Sequence, residues 1–354
     1  MSDEPTNLEG AVCAPPLPHD EQIVMGHGAG GRMSHQLIRK AFLPAFQNPA
    51  LNAGNDAALV VPDARQRLSV STDAHVVSPL FFPGGDIGRL AVCGTVNDVA
   101  MLGAKPLYLT AGFILEEGLP MDILHRVIES MKRAAEEAGV QIVAGDTKVV
   151  QRGKADGLYI TTAGIGVVRE GVDVSGANAR AGDAVILSGT IGDHGIAVLG
   201  ARGELGFESS IQSDVAPLNH LIEAMLDASP NIHALRDPTR GGLATTLNEI
   251  ATQSDAGIIL DERTLPIHPE VGAACEMLGF DPLYIANEGK LVCIVPREDA
   301  EKVLKVMKRT RYGEGAVIIG NVVEEPKGRV LLKTAIGSTR VVDMLAGEML
   351  PRIC

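Results

Sequence analysis

Two stretches of the chain repeat one local grammar, and that grammar limits the fold more than any other feature. "QIVMGHGAGGRMS" runs from a short apolar strand through glycines into "HQLIRKAFLPAF". There Leu37, Ile38, Ala41 and Phe42 fall at helical spacing. "AGDAVILSGTIGDHGIAVLG" again reads strand, glycine turn, helix. Between them lies a polar turn region, "REGVDVSGANARAGD". A chain of 354 residues built this way reads as two α+β halves with the boundary near 170–180. We expect a disordered Pro-rich leader over 1–21, one domain over 22–170, a second over 171–342 and a mobile tail over 343–354.

Strands are expected in "AALVV", "RLSVSTDAHVV", "PLYLTAGFILEE" and "GLYITTAGIGVVRE", and "VQIVAGDTKVV" reads as a strand running into a turn. A buried helix is expected in "IGRLAVCGTVNDVAMLGA" and an amphipathic one in "MDILHRVIESMKRAAEEAG", ended by Gly139. The net charge, 31 − 44 = −13, opposes non-specific contact with nucleic acid or an anionic membrane. No apolar run approaches membrane-spanning length, and no signal segment opens the chain. Five cysteines without a CxxC argue for a reducing cytoplasm, with Cys13, Cys93, Cys275 and Cys293 inert.

The acids are placed to do chemistry. Asp56 follows a glycine turn, Asp73 and Asp146 close strands, Asp98 sits in an apolar helix, and Asp237 opens "DPTRGG". An acid among apolar residues is costly to bury unpaired, and several brought together make a hard oxygen site for Mg²⁺. Gly26-x-Gly28-x-x-Gly31 has the glycines of a dinucleotide loop. It lacks the acid about 20 residues on that a ribose would need. A plain turn, or a flap whose N–H groups meet phosphates, remain the alternatives.

"STDAHVVSPLFFPGGDIGRLAVCGTVNDVAMLGAKP", "AGDTKVVQRG", "SGTIGDHG", "RDPTRGGLA", "ANEGKL" and the closing "PRIC" together resemble the HypE family of hydrogenase maturation proteins. That family belongs to the ATP-using superfamily of aminoimidazole ribonucleotide (AIR) synthetase and selenophosphate synthetase. The resemblance covers roughly residues 22–354. It implies a two-domain α+β fold of the PurM (AIR synthetase-like) type, with N-terminal domains dimerising through a β-barrel-like core. It implies ATP held by Gly28, Gly30, Gly31, Asn97, Gly145, Asp146 and Thr147, and Mg²⁺ held by Asp56, Asp73, Asp98 and Asp237. A HypF-type carbamoyltransferase would load Cys354, the chain would dehydrate the S-carbamoyl group to thiocyanate, and a HypC–HypD complex would take the cyanide.

Dehydration of an amide needs its oxygen made into a leaving group and two N–H protons removed. Lys148 and Glu288 are the candidates for that proton work, with Cys354 as the attachment point. His75 and His194 read as structural. The 12 residues from Asp343 to Cys354 reach about 40 Å when extended, so the thiol can alternate between a partner and the ATP cleft. Met344, Leu345, Met349, Leu350 and Ile353 could dock the tail. Three rivals remain: a synthetase acting on a free substrate, a non-catalytic thiol carrier, and a nicotinamide oxidoreductase.

Overall fold

The computed structural model describes residues 30–42, 48–63, 66–203, 210–345, 350 and 352–354. The leader, Gly28 and Met349 lie outside the described residues. Two main sheets carry the chain. The first contains β1 (Ala58–Asp63), β2 (Gln66–His75), β5 (Ala104–Glu116), β6 (Gln141–Val150) and β7 (Leu158–Val168) in the order β1-β2-β7-β5-β6. Only its β5–β6 pair is parallel. A two-stranded ribbon, β3 (Phe81–Phe82) with β4 (Gly85–Asp86), leads into the Ile87–Met101 helix. Asp86 caps that helix, its Oδ1 accepting from the N–H groups of Gly88 (2.8 Å) and Arg89 (3.1 Å).

The Ile87–Met101 helix is buried on nearly every side, as its largely apolar sequence, broken by Arg89, Thr95, Asn97 and Asp98, allows. It lies across β2, β7 and β5, with the Met121–Ala138 helix beside it. Two glycines of β7 permit the close approach. A Cβ on Gly164 would stand 2.8 Å from Thr95, and one on Gly166 would stand 2.6 Å from Val99. Any larger residue there would push the helix off the sheet.

The second sheet is built from β8 (Ala184–Leu187), β9 (Ala234–Arg236), β10 (Gly257–Asp261), β11 (Val292–Val295), β12 (Val317–Val323), β13 (Val330–Lys333) and β14 (Thr339–Val342). Its order is β14-β13-β10-β12-β8-β11-β9. The Gly242–Ser254 helix packs beside β10 and β13, and the Asn219–Ala228 helix packs on the Arg297–Met307 helix. The two halves share a core in which Ala100 and Met101 meet Val172, Val174, Leu218 and Ile222. No helix among the described residues is long and apolar enough to cross a membrane.

One expected turn is a strand. β6 continues through Gly145, Asp146, Thr147 and Lys148 to Val150, paired in parallel with β5. Gly145 allows this because a Cβ there would stand 2.7 Å from the Ala111 carbonyl oxygen. β-branched Thr147, Val149 and Val150 favour the extended chain. Asp146 is therefore in mid-strand rather than at a strand's end. The Pro269–Leu278 helix, β9 and β14 had no sequence expectation.

Candidate functional site

The site lies where β2, the Ile87–Met101 helix, the segment after β9 and the end of the chain converge. β2 supplies Asp73 and, two residues on and so on the same face, His75. His75 is buried, with its Nε2 3.3 Å from Thr162 Oγ1 and 3.7 Å from Asp73 Oδ2. Burial lowers its pKa, Asp73 opposing the shift, so it stands as a neutral imidazole. The helix supplies Asp98, whose Oδ2 accepts from Ser71 Oγ at 2.6 Å.

β9 ends on Arg236 and delivers Asp237 directly after it. Arg236 is buried, with its Nε 3.5 Å from Asp56 Oδ1 and its guanidinium paired to Glu249. Glu249 also meets His35 Nε2 at 2.8 Å. Asp56, Asp73, Asp98 and Asp237 thus face one another with two arginines, Arg236 and Arg240, among them. Burial pushes Asp56 up to about 6 against the pull of Arg236. Burial, and then the neighbouring carboxylates, push Asp98 and Asp237 well above the usual carboxylate range. Such mutual elevation marks a cluster that a cation would relieve.

Among the described residues no three of these side chains are arranged to enclose a metal ion by themselves. Mg²⁺ commonly takes one or two carboxylates and completes its shell with phosphates and water. The all-carboxylate donor set therefore fits it.

The tail enters this site. Val76 N–H donates to a main-chain carboxylate oxygen of Cys354 (2.9 Å) and Ser78 N–H to the Arg352 carbonyl oxygen (3.2 Å), an antiparallel pairing just beyond β2. Ile353 is 3% exposed and belongs to the first domain's core. Leu350 packs against the same core. The half-buried Cys354 thiol meets Glu288, Arg240 and Asp73. Burial pushes its pKa far up. Arg240 opposes this, and the charges of Glu288 and Asp73 and a hydrogen bond to Glu288 reinforce it. Docked, the thiol is kept protonated and poorly nucleophilic.

Glu288 is buried, and its Oε1 has no hydrogen-bond partner. Burial, then Asp237, Asp73 and Asp214, raise its pKa well above the ordinary value, with Arg240 opposing. The backbone fixes its place. Asp214 accepts from Glu288 N–H, Gly289 N–H and Lys290 Nζ, each at 3.1 Å. A Cβ on Gly289 would stand 1.7 Å from the Asp214 carbonyl oxygen, so only glycine fits there.

The remaining sequence-picked residues divide. Gly30, at φ +73°, and Gly31 form a close-packed joint. A Cβ on the first would stand 2.9 Å from Arg240 and on the second 2.3 Å from the Leu345 carbonyl oxygen. Asn97 is buried inside the interdomain contact, its amide donating to Ala216 O (3.0 Å) and accepting from Leu218 N–H (2.8 Å). Gly145, Asp146, Thr147 and Lys148 stand apart on exposed β6, where Lys148 Nζ pairs with Asp146 Oδ2 at 2.6 Å. The row Asp73–Thr162–Ala111–Gly145 crosses three strand spacings. That is about 14 Å within one chain. Arg240, Asp214 and Arg202 were not singled out from the sequence. Arg240 lies inside the quoted "RDPTRGGLA", three residues after Asp237, and that proximity was the available signal.

The comparisons agree with this architecture. Residues 54–168 match the N-terminal domain of AIR synthase related protein, and residues 180–333 match its C-terminal domain. The carbamoyl dehydratase HypE of Cupriavidus necator is 57% identical over 333 residues, covering 94% of this chain and 95% of that one. The carbamoyl dehydratase HypE of Escherichia coli is 48% identical over 337 residues, covering 94% and 99%. Among solved structures, a HypE–HypF complex superposes with a TM-score of 0.83 at 52% identity, covering 87% of this chain and 99% of that one. HypE in complex with ATP gives 0.79 at 52% identity, covering 94% and 100%. The chain belongs to the AIR synthase related family and, within it, to the HypE carbamoyl dehydratases.

Proposed function

We infer that the chain removes water, at the expense of ATP, from a carbamoyl group carried on Cys354, leaving a thiocyanate whose cyanide serves hydrogenase maturation. The observation that carries this reading is the docked tail, which brings the Cys354 thiol against Glu288 and Arg240 beside four converging acids. A free-substrate enzyme has no use for a thiol fixed there, and a passive carrier has no use for the acids.

In this reading the γ-phosphoryl group of ATP passes to the carbamoyl oxygen. The C–O bond then breaks with phosphate as leaving group, and the two N–H protons depart. Glu288, with a free buried oxygen and a raised pKa, takes a proton near the sulfur-bound carbon. Arg240 offsets negative charge there. Asp56, Asp73, Asp98 and Asp237 would hold Mg²⁺, which supplies charge neutralisation on the phosphates. Gly28, Gly30 and Gly31 would close on the nucleotide.

Lys148 and the Gly145–Thr147 segment join the reaction most simply through a second copy of the chain. Tyr108 and Ile165 face each other across β5 and β7, and with Ile114 and Val143 they leave an exposed apolar surface beside the open edge of β6. Pairing two copies there buries that surface and gives each β6 access to the partner's acids. A HypF-type protein loads the thiol and a HypC–HypD complex unloads it, in the cytoplasm.

The test is intact mass after incubation with the carbamoylating partner, carbamoyl phosphate and Mg-ATP. We expect a carbamoyl gain that loses one water only when ATP is present, and no adduct on Cys354→Ala. A carbamoyl adduct that ATP never dehydrates would overturn the reading.

A further inference from the structure

The tail is held by more than its pairing with residues 76–78. The Asp193–Arg202 helix reaches it from both ends. At the first turn, His194 Nε2 lies 2.7 Å from the Ile353 carbonyl oxygen. At the last residue, Arg202 donates through Nη2 to the Arg352 carbonyl oxygen (2.7 Å) and through Nε to the Ser78 carbonyl oxygen (2.7 Å). Arg202 thereby ties the docked tail to the segment it pairs with. The main-chain oxygens of Arg352, Ile353 and Cys354 are all engaged.

The tautomer of His194 follows from its partners. A carbonyl only accepts, so Nε2 carries the proton. Nδ1, 2.8 Å from Ser213 Oγ, accepts from that hydroxyl, while Ser213 Oγ accepts from Val215 N–H at 3.2 Å. Ser213 is joined to Asp214, whose carboxylate holds the Glu288 backbone. His194, which grips the tail, and Glu288, which faces its thiol, are thus both hydrogen-bonded to the Ser213–Asp214 segment.

We propose that His194 and Arg202 are positioning residues for the dehydration: they clamp the main chain of residues 352–353 and so set the fraction of time Cys354 spends against Glu288. This rests on Cys354 as the carrier of the reacting group. The grip is on the main-chain oxygens of residues 352 and 353 and uses no atom of the Cys354 side chain, so it is available to a loaded tail as to an empty one. Release to a partner requires that both grips open.

The experiment is alkylation of the full-length chain by iodoacetamide, read cysteine by cysteine by peptide mass. It needs neither ATP nor carbamoyl, so it can fail while the dehydratase reading stands, and the reverse. Loss of one such hydrogen bond should raise Cys354 labelling about five- to tenfold in Arg202→Gln and in His194→Ala. Labelling of Cys93, Cys275 and Cys293 should stay at the native rate. His194→Gln, which keeps an N–H donor, should restore part of the protection. Native-rate Cys354 labelling in both folded variants overturns the proposal, as does a rise shared by the three buried cysteines. Should both variants fail to fold, hydrogen exchange of the native chain decides. Protected amides at Val76 and Ser78 support the clamp, and freely exchanging ones overturn it.

Discussion

Replacing Glu288 by Gln tests the chemistry with little disturbance of the frame. The side chain keeps its shape, and the loop keeps its anchor, because Asp214 holds residue 288 through the backbone N–H at 3.1 Å. What disappears is a basic oxygen beside the Cys354 thiol. A positioned general base contributes about 10²–10⁴ in rate, or about 3–5 kcal/mol in the barrier. Stability should move the other way. A buried carboxyl crowded by Asp237, Asp73 and Asp214 is unfavourable, and a neutral amide relieves it. The assay is a single-turnover time course of water loss from the preloaded chain, followed by mass, beside a thermal melt. We expect normal loading, dehydration slowed by two orders of magnitude or more, and a melting temperature no lower than native. Dehydration at the native rate would refute the base assignment, and a marked drop in melting temperature would mean that Glu288 serves the fold.

Asp237→Asn should abolish ATP turnover yet raise the melting temperature of the metal-free protein by about 2–4 °C, since it removes one of several mutually repelling carboxylates; a lower melting temperature would contradict the clustering argument. Glu137 joins the domains, meeting Arg89 Nη1 at 2.8 Å and bonding the Tyr312 hydroxyl. Burial works to raise its pKa, but those hydrogen bonds outweigh it and hold the carboxyl below its ordinary value of 4.5. A depressed pKa stabilises the fold above the unfolded value, and that contribution is lost as pH falls through the folded one. Glu137→Gln should therefore cost about 1–3 kcal/mol in urea unfolding at neutral pH, with the gap to native closing as the medium is acidified below about pH 4.

Much of this was legible in the sequence because local patterns carried it. The apolar run of residues 87–101 and the alternation in β7 announced their elements, and the acids at element edges announced a shared site. What the sequence hid is long-range. That Asn97 is spent on the Ala216–Leu218 backbone depends on a contact between residues over a hundred positions apart. Locally, Gly145 and Asp146 signal a turn that would end β6 early. The ladder with β5 overrides them. Arg202 and His194 carry no local mark of a role, since each acts on a backbone carbonyl brought from the far end of the chain.

With Cys354 as the proposed carrier, the docked tail has a consequence for the kinetic order of the reaction. When the reacting group is tethered in its own cleft, the chemical step is first order, and dilution leaves its half-life unchanged as long as the two paired chains stay together. No Michaelis constant exists for the carbamoyl group, only for ATP. Each chain completes one event and then waits, so sustained throughput in a cell is governed by how fast partners load and empty the tail.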